Sequence, residues 1–448
     1  MTGFSMMNKR LPGLMALALS AALFTVPAYA AGSTSPASGY TPGVVDKSFA
    51  GATISVLVPP WATYNQTLVD DFTKRTGITV NVETVDFDAI HDKIVTASAS
   101  GQAVADVIEL DWTWVSQFGA AGWLTPLDQF LTKQQIQDAA GANAFVYGGQ
   151  QVGLPYNLDF RGTLVNMTKF KKAGINEAPT TWAELLKDAQ ALKTAGAAEY
   201  PIAVPLSITE NTSTPWYTLV RGAGGEVIDE KGEPAFATNG KGVSSLQFIR
   251  DAYAAGVIDP GAIGLSAEQV SQEFIAGTAA VLLSSSPGGV NASKSNVAGS
   301  NIVGDDVRFV HVPGEDNNTG ATIALEEAFA IPLASENKEA AAMFLTWTLE
   351  PKQQLAAFND PNQGLLPPNK VALEQLASNK DNQAMMESVL QILPTIQPVI
   401  PGGPPIWYTK FSAEAAATIQ SVALGQVTPE KAVEELAQKI RQLAAQSK

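Results

Sequence analysis

Beyond residue 50, the chain alternates short runs of apolar and β-branched residues with longer amphipathic stretches. The short runs have the length and alternation of strands, and the longer ones repeat their apolar positions with the helical period. The first series predicts a strand at Thr53–Val58, a helix at 65–76, a strand at 78–85, a helix at 88–98 and a strand at 105–110. This order is typical of a parallel sheet covered by helices on both faces.

Later stretches continue the same order and predict further helices. We expect Thr180 to cap a helix at 182–195, a helix at 338–350 to end before Pro351, and Thr428 to cap a final amphipathic helix that reaches residue 443. A chain of 448 residues exceeds what one hydrophobic core organises. We therefore expect an α/β protein of two lobes.

The N-terminus has the parts of a cleaved signal peptide. The basic pair Lys9-Arg10 precedes an apolar run at 11–26, and Ala28-Tyr29-Ala30 offers the small residues that a signal peptidase accepts. A membrane anchor is the alternative, but the run is shorter than the ~20 residues that span a bilayer. We expect cleavage after residue 30, secretion to the periplasm, and a flexible leader over 31–50, which is rich in Gly, Ser, Pro and Ala.

Composition narrows the classes of function. The chain has 28 basic and 43 acidic residues and a net charge of −15, which argues against nucleic acid and anionic lipid as partners. It contains no cysteine, which excludes disulfides, thiolate metal sites and a lipid-modified cysteine anchor. These features favour a freely diffusing periplasmic protein, which we expect to be a monomer.

In open parallel sheets, ligands bind beyond the carboxyl ends of the strands. The residues after the predicted strands are aromatic and polar: Trp61, Tyr64 and Asn65 after the first, Asp111, Trp112 and Trp114 after the third, and Tyr156, Asn157, Asp159 and Arg161 after the segment 151–155. Aromatic faces can cover the C–H face of a pyranose, while carboxylates, amides and guanidinium groups bind its hydroxyls. The pattern favours carbohydrate binding.

Each of these candidates also has a purely structural interpretation. Trp123, Trp182 and Trp347 fall where tryptophans commonly pack in a core, and any of the candidate tryptophans could do the same. Asp159 and Arg161 could form an ion pair on the surface.

The segment 153–186, GLPYNLDFRGTLVNMTKFKKAGINEAPTTWAELL, joins a polar and aromatic strand to a helix and then to a Pro-Thr-Thr-Trp helix start. It resembles the crossing segment of extracellular solute-binding protein family 1, the maltose-binding-protein-like periplasmic proteins that carry sugars to ABC importers. Segments 223–229, 274–281, 324–332 and 362–368 resemble the same family in the same order. The resemblance covers residues 51–443. It implies a two-lobe periplasmic-binding-protein fold of type II, hinge closure, and ABC importer membrane subunits as partners.

The resemblance also adds candidates for ligand contact, two of them at departures from the family pattern. Where relatives often carry an aromatic residue after segment 274–281, this chain has Ser285 and Ser286, which indicates a compact or polar ligand, although such serines can simply form a turn. Glu326 and Glu327 replace glycines at the start of the return strand; the pair suits hydroxyls or a cationic ligand, or else forms a solvated acidic turn. The remaining candidates are Glu210, Trp216 and Trp407.

The sequence lacks the motifs of several classes of enzyme. His91 and His311 are the only histidines and lie apart from any repeated ligand pattern, and neither a G-x-S-x-G turn nor a P-loop is present. A carbohydrate-processing enzyme needs two carboxylates across a cleft, which could come from Asp111, Asp159, Glu210, Glu326 and Glu327. A binding protein lines its cleft in the same way. We therefore expect no enzyme activity, no cofactor and no metal.

The sequence predicts a two-lobe α/β binding protein that closes around a sugar, sugar alcohol or short oligosaccharide. Lobe one comprises residues 51–156 and 322–368, and lobe two comprises residues 157–321 and 369–448. A cationic amine such as a polyamine is the alternative ligand, because aromatic rings and carboxylates together can enclose a cation.

Overall fold

A computed structural model describes residues 39–290, 300–316, 321–360 and 364–446. The predicted signal peptide, most of the predicted leader, and residues 362–363 lie outside these ranges. No helix in the described ranges combines the length and the apolar character needed to cross a bilayer.

The described residues alternate strands and helices along the chain. The strands are β1 (Thr53–Val58), β2 (Thr79–Thr84), β3 (Val107–Asp111), β4 (Val146–Tyr147), β5 (Gln150–Gln151), β6 (Leu154–Asn157), β7 (Gly162–Asn166), β8 (Ile202–Ala203), β9 (Val281–Ser285), β10 (Val307–Val310), β11 (Thr322–Ala324), β12 (Glu327–Ala330) and β13 (Ile396–Pro398). The helices are α1 (Gln66–Thr76), α2 (Phe87–Ala99), α3 (Val115–Ala120), α4 (Lys133–Asp138), α5 (Met167–Lys172), α6 (Trp182–Thr194), α7 (Glu210–Gly222), α8 (Lys241–Ala254), α9 (Ala267–Ile275), α10 (Lys338–Thr348), α11 (Pro351–Asn359), α12 (Lys370–Ser378), α13 (Gln383–Ile392), α14 (Tyr408–Ala423) and α15 (Pro429–Gln446).

The first sheet has the strand order β2-β1-β3-β12-β6. Strand β1 is parallel to β2 and to β3, which confirms the predicted β-α-β-α-β unit. Strand β12 enters from much later in the chain and is antiparallel to both β3 and β6. Its first residue, Glu327, pairs with Asp111 on one side and with Asn157 on the other. Three polar candidates from distant parts of the sequence therefore meet at one edge of this sheet.

The second sheet has the order β10-β7-β9-β8. Strand β8 is parallel to β9, whereas β7 is antiparallel to β9 and to β10. A separate parallel pair joins β11 to β13. The sequence placed β11 in lobe one and β13 in lobe two, so this pair lies at the expected boundary; the boundary itself stays a prediction.

Three crossing segments connect the two sheets, at residues 158–161, 323–326 and 364–368. They are hydrogen bonded to one another: the Leu158 amide donates to the Leu366 carbonyl at 2.8 Å, and the Leu325 amide donates to the Asp159 carbonyl at 3.0 Å. The Arg161 amide donates to the Ile323 carbonyl at 3.1 Å. These bonds satisfy the backbone of the crossing segments, which would otherwise be left unpaired where the chain leaves a sheet.

Helix ends follow local capping chemistry. The Asn65 side chain accepts a hydrogen bond from the Leu68 amide at the start of α1, and Gly77 ends that helix with a φ of 76°. The prediction that Thr180 caps α6 is wrong, because the Thr181 side chain accepts from the Glu184 amide and the Thr181 amide donates to the Glu184 carboxylate. The helix itself begins at Trp182, as the sequence predicted, so only the identity of the cap differs.

Candidate ligand-binding site

A cavity of about 340 Å³ lies between the two sheets, at the carboxyl ends of β1 and β3. The first sheet and its helices contribute Trp61, Phe87, Asp111, Trp112, Asn157 and Glu327. The second contributes Glu210, Thr214, Leu282, Ser285 and Ser286, together with one side of α9. The crossing segments contribute Asp159, Arg161, Leu325 and Leu366. Ligands in open α/β sheets occupy this kind of position.

Ten of the candidates from the sequence line this cavity: Trp61, Asp111, Trp112, Asn157, Asp159, Arg161, Glu210, Ser285, Ser286 and Glu327. They come from both sheets and from the crossing segments. A ligand in the cavity would therefore contact both halves of the molecule at once. Their role in ligand binding stays a prediction.

Four aromatic candidates are core residues and do not line the cavity. Tyr64 packs against Phe329, Phe344 and Trp347, and its side chain is 5% exposed. Tyr156 stacks on Phe329 with ring centroids 4.3 Å apart. Trp114 and Trp216 are likewise buried, Trp114 against Phe87 and Trp216 against Phe236.

Three further candidates also lie away from the cavity lining. Asn65 is occupied by capping α1 and by donating to Asp360 at 2.9 Å. Glu326 lies against Gly141, where a methyl group would come within 2.9 Å of the Glu326 Cγ. Trp407 is buried against Phe411 just before α14. Position after a strand selected Asn65, and the family resemblance selected Glu326 and Trp407, but none of the three lines the cavity.

Glu327 occupies the centre of the polar wall on the first sheet. Its Oε1 accepts a hydrogen bond from Trp61 Nε1 at 2.7 Å, and its Oε2 accepts one from Asn157 Nδ2 at 2.9 Å. Both donors are neutral. The bonds fix the Trp61 indole at the cavity edge, so Glu327 orients an aromatic face as well as supplying a carboxylate.

The neighbouring carboxylates are held by different partners. Asp111 Oδ1 accepts from the Thr113 amide at 2.8 Å and from the Thr113 hydroxyl. Asp159 Oδ2 pairs with Arg161 Nη1 at 3.0 Å. This ion pair is mostly buried beside the cavity, in contrast to the surface pair that the sequence left open.

Burial changes the titration of these groups. Desolvation raises the pKa of Asp111 to about 6, although the Thr113 hydrogen bonds act in the opposite direction. Desolvation, followed by the charge of Asp159, raises the pKa of Glu327 to about 8, while the bond from Asn157 lowers it. Desolvation also raises the pKa of Asp159, which the Arg161 charge opposes. The cavity wall therefore holds carboxyl groups that ionise only at a cost.

A backbone distortion in β9 shapes the opposite wall. Ser284 has a φ of 58°, and its hydroxyl lies 2.9 Å from that of Thr218 on α7. A left-handed conformation is costly for a residue with a Cβ, so the surrounding structure must hold it. The register with β7 shifts at the same place. Beyond the distortion, Ser285 and Ser286 line the cavity.

The two halves of the molecule also touch directly beside the cavity. Trp112 contacts Tyr408 of α14 with ring centroids 5.1 Å apart, and the Tyr408 hydroxyl donates to Glu210 Oε1 at 3.0 Å. Gly288, in the turn after β9, packs so closely on Gly364 that a methyl group at Gly288 would lie 2.0 Å from the Gly364 carbonyl oxygen.

Sequence reasoning missed the contribution of α9. Ser271, Gln272, Phe274 and Ile275 line the cavity from this helix. The signal was present as a Ser266–Gln269 capping box, which begins the helix, followed by polar residues beside its apolar stripe. Tyr408, which contacts Trp112 beside the cavity, was missed although its neighbour Trp407 was selected.

A cavity between two α/β sheets joined by crossing segments defines the class of two-lobe binding proteins. The chain belongs to the bacterial extracellular solute-binding protein family, whose sequence profile matches residues 57–355. This family is the one that the sequence resemblance indicated.

Individual relatives agree with this assignment. A Brucella abortus protein named as a binding protein is 25% identical over 369 residues, which cover 81% of this chain and 85% of that protein. The structure of an ABC transporter solute-binding protein from Thermotoga lettingae bound with α-D-tagatose has a TM-score of 0.78 at 23% identity, covering 88% of this chain and 99% of that one. A protein from Agrobacterium radiobacter in complex with ribitol has a TM-score of 0.76 at 21% identity, covering 90% and 100%. The expected two-lobe α/β fold is confirmed.

Proposed function

We propose that this protein captures a sugar or sugar alcohol outside the cytoplasm and delivers it to an ABC importer. The observation that carries the proposal is the lining of the cavity. Trp61 and Trp112 line the same cavity as Asn157, Asp159 and Arg161. Indole faces suit the C–H surface of a sugar, and the polar groups suit its hydroxyls.

The size and walls of the cavity favour a compact ligand. Its volume of about 340 Å³ is near the lower end of the roughly 300–1,000 Å³ range of ligand pockets. Small side chains, Ser285 and Ser286, form the wall on the second sheet. The ligands of the tagatose-bound and ribitol-bound relatives are of the same compact kind.

Capture proceeds by hinge closure around the crossing segments. Lobe one, residues 51–156 and 322–368, and lobe two, residues 157–321 and 369–448, move together when a ligand bridges them. Groups from both sheets line the cavity, so the ligand gains all of its contacts only in the closed form and shifts the population toward that form. The Trp112–Tyr408 contact is one of the contacts that closure makes.

A thermal-shift screen of the secreted protein against neutral monosaccharides, disaccharides and sugar alcohols tests the proposal. A ligand present at 100 times its dissociation constant stabilises the folded state by ~2.7 kcal/mol, which raises the melting temperature measurably. Isothermal titration calorimetry then gives the affinity of each hit. A stabilising ligand found only among amino acids or polyamines would contradict the carbohydrate assignment.

The same ligands test whether capture occurs without chemistry. We expect chromatography of the protein after incubation with oligosaccharides to return the starting sugar unchanged. Release of shorter sugars in proportion to protein concentration would instead identify a carbohydrate-processing enzyme. Glu327→Gln would then distinguish a catalytic carboxylate, whose loss abolishes release, from contamination, which the substitution leaves unchanged.

A further inference from the structure

Acidic side chains outnumber basic ones in the lining of the cavity. Asp111, Asp159, Glu210 and Glu327 contribute carboxyl groups, and Glu268 adds another at an exposed position. Arg161 is the only lysine or arginine among the described residues of the lining. It is already paired with Asp159. Within the described residues, Asp111 and Glu327 form no ion pair of their own, although the charge of Arg161 acts on both.

Two of these carboxyl groups face each other across neighbouring strands. Glu327 on β12 is directly paired in register with Asp111 on β3, and both side chains line the cavity. Side chains at directly opposed positions lie about 4.5–5.5 Å apart at Cβ, and like charges there destabilise a sheet. Neutral donors hold both groups: Trp61 and Asn157 bond to Glu327, and Thr113 bonds to Asp111.

The Asp111 carboxyl group has unused capacity. It is 8% exposed, and both of its hydrogen bonds go to Oδ1; within the described residues, no bond to Oδ2 is found. Asp111 also lines the cavity, and an ammonium donor binds a carboxylate oxygen more strongly than a neutral donor does. A metal ion is a poor candidate, since no group of three His, Asp or Glu side chains in the described ranges could hold one.

We propose that the ligand carries a protonated amine, as an amino sugar or an amino-substituted sugar alcohol does, and that its ammonium group binds between Asp111 and Glu327. This inference rests on the proposed function, because it specifies the chemistry of a hydroxylated ligand in the same cavity. The ammonium group donates to Asp111 Oδ2 and favours the ionised form of both carboxyl groups, which burial otherwise disfavours.

Trp61 borders the ammonium site. Its Nε1 is bonded to Glu327 Oε1, so the edge of the indole lies next to the carboxylate that the cation would contact. The rest of the ligand extends toward Asn157, Arg161 and the serines of the second sheet, which are left to bind its hydroxyls.

Matched pairs of ligands test the inference at pH 7. Calorimetry would compare glucosamine with glucose, galactosamine with galactose, and N-methylglucamine with sorbitol. N-acetylglucosamine serves as the uncharged derivative in the first pair. We expect at least one protonated amine to bind about tenfold more tightly than its neutral partner, which corresponds to about 1.4 kcal/mol. Equal or tighter binding of the neutral partner in every pair would overturn the inference and leave the carbohydrate proposal intact.

Three variants test whether the preference for an amine depends on Asp111 and Glu327 or on the acidic charge of the region as a whole. Glu327→Gln and Asp111→Asn each keep the side-chain shape and remove a charge, and each should reduce the amine preference to less than about threefold. Glu326→Gln removes the adjacent charge, which lies against Gly141, and should keep the preference. A preference that survives in both site variants would overturn the assignment of the ammonium group to these carboxylates.

The two proposals fail in different ways. Binding of spermidine or putrescine, with no binding of any sugar or sugar alcohol, would overturn the proposed function and the inference together. Binding of neutral sugars alone would overturn only the inference. If one variant fails to fold, as judged by its melting temperature, the other still tests the site.

Discussion

Trp61 faces the cavity because neighbours hold its indole from two directions. Phe87 packs against it with ring centroids 5.7 Å apart, and Glu327 accepts its Nε1–H. Trp114 stacks on Phe87 with centroids 5.1 Å apart and is 3% exposed. One phenylalanine therefore separates a tryptophan that lines the cavity from one that belongs to the core.

The two tryptophans should respond differently to truncation. Trp61→Ala should weaken binding of the best ligand from the screen by at least about tenfold while lowering stability little, because the side chain is partly exposed. Trp114→Ala should reduce the free energy of unfolding by about 3–5 kcal/mol, because it leaves a core cavity. Calorimetry and urea unfolding measure the two effects. If both variants lost the same affinity and had the same free energy of unfolding, the assignment of Trp61 to the cavity and Trp114 to the core would be contradicted.

The sequence could predict the zone in which these residues lie, but not the direction of each side chain. Trp112 and Trp114 belong to one short helical turn after β3, and only Trp112 lines the cavity. Their directions depend on Phe87 and Tyr408, which come from other parts of the chain. Adjacent Glu326 and Glu327 likewise separate because neighbouring residues on extended backbone point to opposite sides.

Glu327 should make the stability of the ligand-free protein depend on pH. Its folded-state pKa is raised to about 8 from a model-compound value of 4.5, so the folded state binds the proton more tightly than the unfolded state. The corresponding stability is present below pH 4.5 and is lost as the pH rises toward 8. The Glu327→Gln variant has no ionisable group at this position. The difference between its free energy of unfolding and that of the unsubstituted protein should therefore grow in favour of the variant as the pH rises from 4.5 to 8. Urea unfolding at several pH values measures the difference; a constant difference would contradict the raised pKa.

Helices α6 and α9 begin at residues that local capping chemistry selects. The Thr181–Glu184 capping box starts α6, and the Ser266–Gln269 box starts α9. The periodic apolar stripe of α6 was sufficient to predict the helix, but two adjacent threonines offered two possible caps. The reciprocal bond from Glu184 selects Thr181, since three residues separate a cap from its partner in this motif.

Substitution of the adjacent threonines tests that assignment. Thr181→Ala should reduce the free energy of unfolding by about 1 kcal/mol, because it leaves the Glu184 amide without its acceptor. Thr180→Ala should cost less, because the Thr180 hydroxyl only adds an exposed bond to the Glu184 carboxylate. Urea unfolding under identical conditions compares the two variants. A larger loss in Thr180→Ala would restore the assignment made from the sequence.

At the scale of the whole molecule, the two sheets meet at the crossing segments and again beside the cavity. The alternation of strands and helices and the family resemblance predicted two α/β lobes. Neither could predict the antiparallel insertion of β12 or the pairing of β11 with β13, because those contacts join residues far apart in the chain. The close packing of Gly288 on Gly364 is also a long-range contact, so it could not be predicted from either turn alone.

A methyl group at Gly288 should interfere with closure. It would meet the Gly364 carbonyl oxygen at 2.0 Å, and a backbone atom cannot rotate away as a side chain can. We expect Gly288→Ala to weaken ligand binding by about 1–3 kcal/mol, the usual cost of overpacking. Gly264→Ala is a matched control in the same half of the molecule, because its nearest neighbour would lie at 3.8 Å. Calorimetry of both variants checks this, and equal affinities would show that the glycine contact does not limit closure.

The position of β12 has a consequence for how the chain is made. β12 separates β3 from β6, yet both flanking strands leave the ribosome long before residue 327 does. Until then the growing polypeptide carries two open strand edges that the finished sheet covers, and such edges readily pair with other chains. The first sheet therefore cannot form completely until β12 has been synthesised. The late arrival of β12 lengthens the time during which the nascent chain needs protection from aggregation.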